Sequence, residues 1–242
     1  MPPIVDTDKC VGCGLCFHAC PVSAIVFNSE KGVRSSPSVI SELCIECGVC
    51  IRICPVKAIS RAEPQYPHTY RLLSDPALPK VTGIPGRGTD EVKTNDVTGR
   101  YRRGEVGIVI DVGRPNVTTT LADVLKIVKV LESAGVELEK ENPQSRVLED
   151  LTLGRLSPQD LSKVRLMSMV IEGKTKIENL PKVIEALRNV EREVDTVFCV
   201  GIICRISEDL SIPCYEALKE LGVRVMPFAK VNLGLGRPLV MD

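Results

Sequence analysis

The chain has 242 residues, with 31 Lys plus Arg balanced by 31 Asp plus Glu, so its formal charge is zero and no basic tail points to nucleic acid. No apolar run approaches the ~20 residues of a membrane helix, and the opening residues lack the charged-then-apolar leader of a secreted chain. These features predict a cytoplasmic protein of one or two domains without membrane insertion, whose eleven cysteines are thiols or metal ligands rather than disulfides.

The first structural signal is a cysteine run that occurs twice. Cys10, Cys13, Cys16 and Cys20, followed by Pro21, repeat as Cys44, Cys47, Cys50 and Cys54, followed by Pro55. Each run reads C-x2-C-x2-C-x3-C-P, the spacing that holds a 4Fe-4S cluster. Three thiolates at this spacing can present their sulfurs to one point from a tight turn. The fourth, after a longer gap and before proline, cannot, and turns toward the other cluster. The spacing therefore predicts two 4Fe-4S clusters with interleaved ligands: Cys10, Cys13, Cys16 and Cys54 on one, Cys44, Cys47, Cys50 and Cys20 on the other. Gly12, Gly14 and Gly48 let backbone amides approach inorganic sulfide with no side chain between. Structural zinc, the alternative, uses paired C-x2-C arms and leaves the third cysteine of each run without a role.

Residues 1–62 resemble a complete two-cluster bacterial-type ferredoxin, including the Pro-Val-x-Ala-Ile that follows each run at 21–25 and 55–59. The resemblance implies single-electron transfer at low potential. Clusters and thiolates add negative charge to a neutral chain. The electron-transfer partner, a redox protein or oxidoreductase subunit, is then expected to offer a basic docking patch. His18, inside the first run, is expected to tune the cluster's surroundings.

Residues 63–104 read as a loop-rich connector, dense in proline and glycine, that wraps a surface. Within it Gly86-Arg87-Gly88-Thr89, Lys93, Thr94, Asn95, Arg100, Arg102 and Arg103 are the best candidates for an anion or nucleotide contact. They lack the strand-turn-helix setting of a phosphate-binding loop. Periodicity returns over 105–242. A strand over 106–112 precedes a helix carrying Leu121, Val124, Leu125, Val128 and Leu131, with Thr119 or Thr120 as N-cap and Gly135 as its stop. A second strand starts at 136–138. The pattern then repeats as a strand over 164–171, a helix through Leu180, Val183, Ile184, Leu187 and Val190, and a strand over 196–204. Between the units, Ser157-Pro158 predicts a short inserted helix. The predicted class is α+β: the two-cluster domain, then a ferredoxin-like βαββαβ sandwich, an antiparallel sheet covered on one face by two helices. A helix over 213–221 closed by Gly222 and a strand over 223–228 extend it, and the tail from 230 is irregular.

The stretch 111–121 (Asp-Val-Gly-Arg-Pro-Asn-Val-Thr-Thr-Thr-Leu), the helix after it and Ala134-Gly135-Val136 resemble an ACT domain, a small ligand-sensing module. The resemblance implies an amino acid or similar small anion held at Asp111, Arg114, Asn116 and Thr118, near the free amides of a helix start. Asn116 stands where the family has glycine, and a plain connecting turn is the alternative. Ferredoxin modules fused to such domains imply an anaerobic host. Cys199, Cys204 and Cys214 read as small buried hydrophobes, with a third metal site or a redox thiol as the alternative. Cys199 and Cys204 face opposite sides of one strand unless Gly201 breaks it. No catalytic residue is visible. Two functions remain. One is an electron-transfer component whose C-terminal domain selects the partner; the other is a redox-linked regulator that couples an ACT-domain ligand to cluster state. Homo-oligomer formation stays open with either.

Overall fold

The computed structural model describes residues 2–27, 36–63, 66–74, 100–114 and 118–225. The candidate anion contacts from Gly86 to Asn95, the loop residue Asn116 and the tail from 230 lie outside them.

The repeated cysteine runs generate a repeated fold. β1 (Ile4–Val5), α1 (Leu15–Ala19), β2 (Ile25–Phe27), β3 (Pro37–Val39), α2 (Val49–Ile53) and β4 (Ile59–Ser60) follow in chain order. β1 pairs antiparallel with β4, Val5 opposite Ile59, and β2 with β3, Ile25 opposite Val39. The first repeat is thus zipped to the end of the second, and α1 packs on α2. Each helix starts from a left-handed glycine, Gly14 at φ +78° and Gly48 at φ +72°, which only a residue without a Cβ adopts at little cost. The chain also turns alike after each proline, through Ser23 and Lys57, both at φ +52°. A small core of Cys16, Ile25, Cys50 and Ile59 lies between the repeats.

The C-terminal part holds β5 (Glu105–Val112), β6 (Thr119–Thr120), α3 (Leu121–Ser133), β7 (Glu137–Leu138), α4 (Pro143–Thr152), β8 (Arg165–Leu166), β9 (Met169–Lys176), α5 (Leu180–Val190), β10 (Phe198–Ile203) and α6 (Pro213–Glu220). The main sheet runs β10-β5-β9-β7 with every neighbour antiparallel. This is the strand order of a βαββαβ sandwich. Alternate residues of β5, Val106, Ile108, Ile110 and Val112, are buried with Met169 and Ile171 of β9. Leu121, Val124, Leu125, Val128 and Leu131 of α3 and Leu180, Val183, Leu187 and Val190 of α5 join the same core, as their helical spacing requires. Thr120 caps α3, its Oγ1 accepting the Asp123 amide at 3.1 Å, and Gly135 at φ +85° follows its end.

Several expectations change. The strand over 164–171 is two pieces: β8 pairs with β6, and the sheet strand β9 begins at Met169 and runs to Lys176. The step lies where Met167 and Ser168 cross Gly113, on which a Cβ would sit 3.0 Å from the Met167 carbonyl. Helix α4 was not foreseen; Asn142 caps it, accepting the Gln144 amide at 3.3 Å, and Pro143 occupies its first turn. The inserted helix at Ser157-Pro158 is a single 3-10 turn, Pro158–Asp160. Residues 223–225 are not strand, and 226–228 lie outside the described residues. Gly201 does not break β10, because it pairs with Val109 within a continuous ladder.

Substituting Gly173 by alanine is a direct test of the β7–β9 packing. A Cβ there would lie 2.7 Å from the Glu137 carbonyl oxygen of the neighbouring strand. The expected cost is about 1–3 kcal/mol, read as a lower urea midpoint.

The predicted connector is more structured than a loop. Within its described residues lies a 3-10 helix, His68–Ser74, with Tyr70, Leu72 and Leu73 buried. Tyr66 Oη donates to Asp160 at 2.9 Å and accepts from the Ser157 amide at 3.0 Å. Tyr70 Oη donates to Asp150 Oδ2 at 2.8 Å, and Arg155 Nε reaches Asp150 Oδ1 at 2.7 Å. Burial pushes the Asp150 carboxyl up, but the hydrogen bonds from Arg155 and Tyr70 outweigh it and hold the group below its ordinary value. A lowered carboxyl contributes stability that is complete above the unfolded value of ~3.9 and lost as pH falls through the folded one. Asp150→Asn is expected to cost about 1–3 kcal/mol near neutral pH and to flatten the acid limb of a stability-against-pH curve. Among the described residues no helix is long and apolar enough to cross a membrane.

Candidate iron–sulfur site

The local fold determines which sulfurs meet. A left-handed glycine before each short helix turns the run so that its third cysteine, Cys16 or Cys50, points inward, and both are buried. Cys10, Cys13 and Cys16 line one recess with Cys54 from the second run. Val11, Leu15, Phe27, Val56 and Ile59 supply apolar walls, and the unfilled space, mouth included, is about 320 Å³. Cys44, Cys47 and Cys50 form the corresponding group of the second run, close enough for charge on Cys44 and Cys47 to act on Cys50. Cys20 packs against the small core that contains Cys50. Among the described residues no three His, Cys, Asp or Glu side chains close on a point suited to a single metal ion.

Backbone amides are directed at the sulfurs. Ala24 N–H donates to Cys20 Sγ and Ala58 N–H to Cys54 Sγ, each at 3.2 Å, so the fourth cysteine of each run is held in the same way. Glu46 N–H donates to Cys44 Sγ at 3.4 Å. Burial pushes the thiols of Cys16 and Cys44 up, and that of Cys50 up to about 11. Thiols kept neutral by burial become thiolates when a cation binds, with release of protons. Four cysteines lining one recess, amide donors to sulfur and an apolar surround therefore suit an iron–sulfur cube.

Sequence reasoning missed the support of the second run. Glu46 stands where the first run has Gly12, and it adopts φ +55° in the left-handed region. Its carboxylate meets Arg71 of the 3-10 helix at 3.0 Å, the side chains only 8% and 1% exposed. Arg71 also donates to the Ser41 carbonyl at 3.0 Å, and its charge favours the Cys44 thiolate. The visible signal was an acidic residue at a glycine position; its partner, far along the chain, carried none. His18 is exposed and stacks edge-on with Phe17, 5.2 Å between centroids.

The second predicted site gathers differently. Asp111 lies in β5 and Arg114 just past it, their closest charged atoms 3.9 Å apart. Thr118 Oγ1 accepts from Arg165 at 3.2 Å, and its carbonyl accepts from Thr196 at 3.0 Å. Asn116 is outside the described residues.

A recess lined by three cysteines of one run and the fourth of the next is the kind of donor set that iron–sulfur proteins of the ferredoxin type use. Residues 9–68 match the family model of the 4Fe-4S dicluster domain, so both runs fall within one match that ends at the start of the 3-10 helix. The N-terminal part of the chain is thus a ferredoxin-type 4Fe-4S domain. No curated protein matches the chain.

Proposed function

We propose that the chain holds two 4Fe-4S clusters and passes single electrons to or from an oxidoreductase partner selected by its C-terminal domain. The observation that carries this reading is the entry of Cys54, from the second run, into the recess lined by Cys10, Cys13 and Cys16. That crossing is what interleaved ligand sets require, and Cys44, Cys47, Cys50 and Cys20 would form the other set. A bound cluster supplies a one-electron couple. The chain's own groups set its environment: amides of Ala24, Ala58 and Glu46 favour sulfur carrying negative charge, and the apolar walls exclude water. Cys13 is exposed, and Val11 and Leu15, which line the same recess, are 45% and 43% exposed, a rim suited to a docking partner. The test is an anaerobic reductive titration. Uptake of about two electrons per chain and their delivery to a one-electron dye support the proposal, and absence of any low-potential couple sinks it.

The β10-β5-β9-β7 order with a loop between β5 and α3 favours a second reading, an ACT-like module that binds an amino acid or similar small anion and regulates the cluster domain. Thr118 in that loop is engaged by Arg165 and Thr196, which suits a connecting turn and makes this reading second. Calorimetry with amino acids, followed by cluster potentials with and without any that bind, separates the two readings. Binding coupled to a potential shift favours regulation.

A further inference from the structure

Two of the three cysteines outside the runs meet. Cys204 directly follows β10 and Cys214 lies in the first turn of α6, yet their Sγ atoms are 2.7 Å apart across a sequence separation of ten. The segment between them is folded back by the Ser207 amide on the Ser211 carbonyl and the Leu210 amide on the Ser207 carbonyl. The two sulfurs differ in access. Cys214 is 6% exposed and belongs to the main core, whereas Cys204 is half-buried. Cys199, upstream on β10, is exposed. Of the three cysteines expected as buried hydrophobes, Cys214 is buried in the core, Cys204 is half-buried against it, and Cys199 is exposed, which corrects the expectation there.

We propose that Cys204 and Cys214 form a redox-active pair that cycles between dithiol and disulfide by exchange with small-molecule disulfides, Cys204 attacking and Cys214 resolving. Cys204, the less buried residue, is the one an incoming disulfide approaches, and Cys214, buried beside it, is placed to resolve. The two sulfurs share one hydrogen bond, and the side chain and backbone amide of Cys214, at the start of α6, draw the Cys204 thiol below the ordinary thiol value. The hydrogen bond to Cys204, and then burial, push the Cys214 thiol up.

The reaction balances in two exchanges. Cys204 thiolate attacks one sulfur of the disulfide, breaking its S–S bond, forming a mixed disulfide and releasing one thiolate. Cys214 loses its proton to that thiolate or to solvent and attacks Cys204 Sγ, forming the Cys204–Cys214 bond and expelling the second thiolate. Two protein thiols are oxidised and one disulfide is reduced to two thiols; excess thiol reverses both steps. No cluster takes part, so this proposal stands or falls separately from the electron-transfer reading.

The test uses the full chain with its clusters, equilibrated anaerobically in mixtures of reduced and oxidised glutathione. Free thiols are trapped by alkylation and located by peptide mass spectrometry. The proposal expects joint loss of alkylatable thiol at Cys204 and Cys214, a peptide linking them, and full recovery in reduced glutathione. In Cys214→Ser, Cys204 should accumulate as its glutathione mixed disulfide; in Cys204→Ser, Cys214 should stay unmodified. The wild-type map alone decides the existence of the pair even where a variant fails to fold. Both cysteines remaining alkylatable in oxidised glutathione, or either one pairing with Cys199, overturns the proposal. Alkylation of Cys214 before Cys204 in the reduced wild type overturns the assignment of roles.

Discussion

Cys20→Ser is expected to remove the cluster served by Cys44, Cys47 and Cys50 and to spare the one served by its own sequence neighbours, Cys10, Cys13 and Cys16. The argument rests on reach. Within the first run the third cysteine, Cys16, is buried in the recess with Cys10 and Cys13, and the place of a fourth donor there is taken by Cys54. Cys20 leaves the end of α1, is held by the Ala24 amide at 3.2 Å, and packs against the core that joins Cys16 and Cys50. Cys54 leaves α2 in the same way and is held by Ala58 at 3.2 Å. The mirror substitution, Cys54→Ser, should therefore remove the first cluster and spare the second. Each variant should lose about half of its iron, and paramagnetic resonance of the reduced proteins should show complementary single-cluster spectra. Loss of the neighbouring cluster in either variant contradicts the interleaved assignment.

Arg71→Ala should be the most damaging substitution outside the cysteines. The Arg71 and Glu46 side chains are both buried, and removing one member of a buried ion pair costs about 3–5 kcal/mol. The damage should be local as well as global. Glu46 holds a left-handed conformation that disfavours a residue with a side chain, and its amide donates to Cys44 Sγ. Without Arg71 the loop relaxes, so iron should leave the second cluster faster than the first under chelator challenge. Pairing the change with Glu46→Gly should recover much of the loss, because glycine accepts that conformation unaided, as Gly12 does at φ +67° in the first run. A double-mutant cycle by urea denaturation checks this. Additive single effects, with no rescue in the double variant, contradict the account.

The residues that were legible in the sequence are those whose role is local. Cysteine spacing, glycine before a short helix, and helical recurrence of Leu, Val and Ile in α3 and α5 each act within a few residues. The βαββαβ order emerged from them because two strand-helix-strand units have few ways to pack. What stayed hidden depends on distant partners. Nothing near Arg71 announces Glu46, and nothing near Cys204 announces Cys214, since the turn that joins them is set by Ser207 and Ser211 backbone bonds. The break between β8 and β9 was also unreadable. The buried positions slip phase from Val164 and Leu166 to Met169 and Ile171 where the backbone steps over Gly113, but Met167 and Val170 are apolar too and hide the slip in the sequence. Helix α4 carries its cap at Asn142-Pro143, but buried polar residues such as Gln144 and Asp150 blur its apolar stripe. Those polar groups make the contacts to Glu172 and Tyr70 that hold it.

The central claim is that two repeated cysteine runs hold two cubes, each run lending its fourth cysteine to the other, and the most direct measurement is iron and acid-labile sulfide per chain after anaerobic purification. The account predicts about eight of each, with visible absorption that bleaches on reduction. About four of each, or zinc with no labile sulfide, contradicts it.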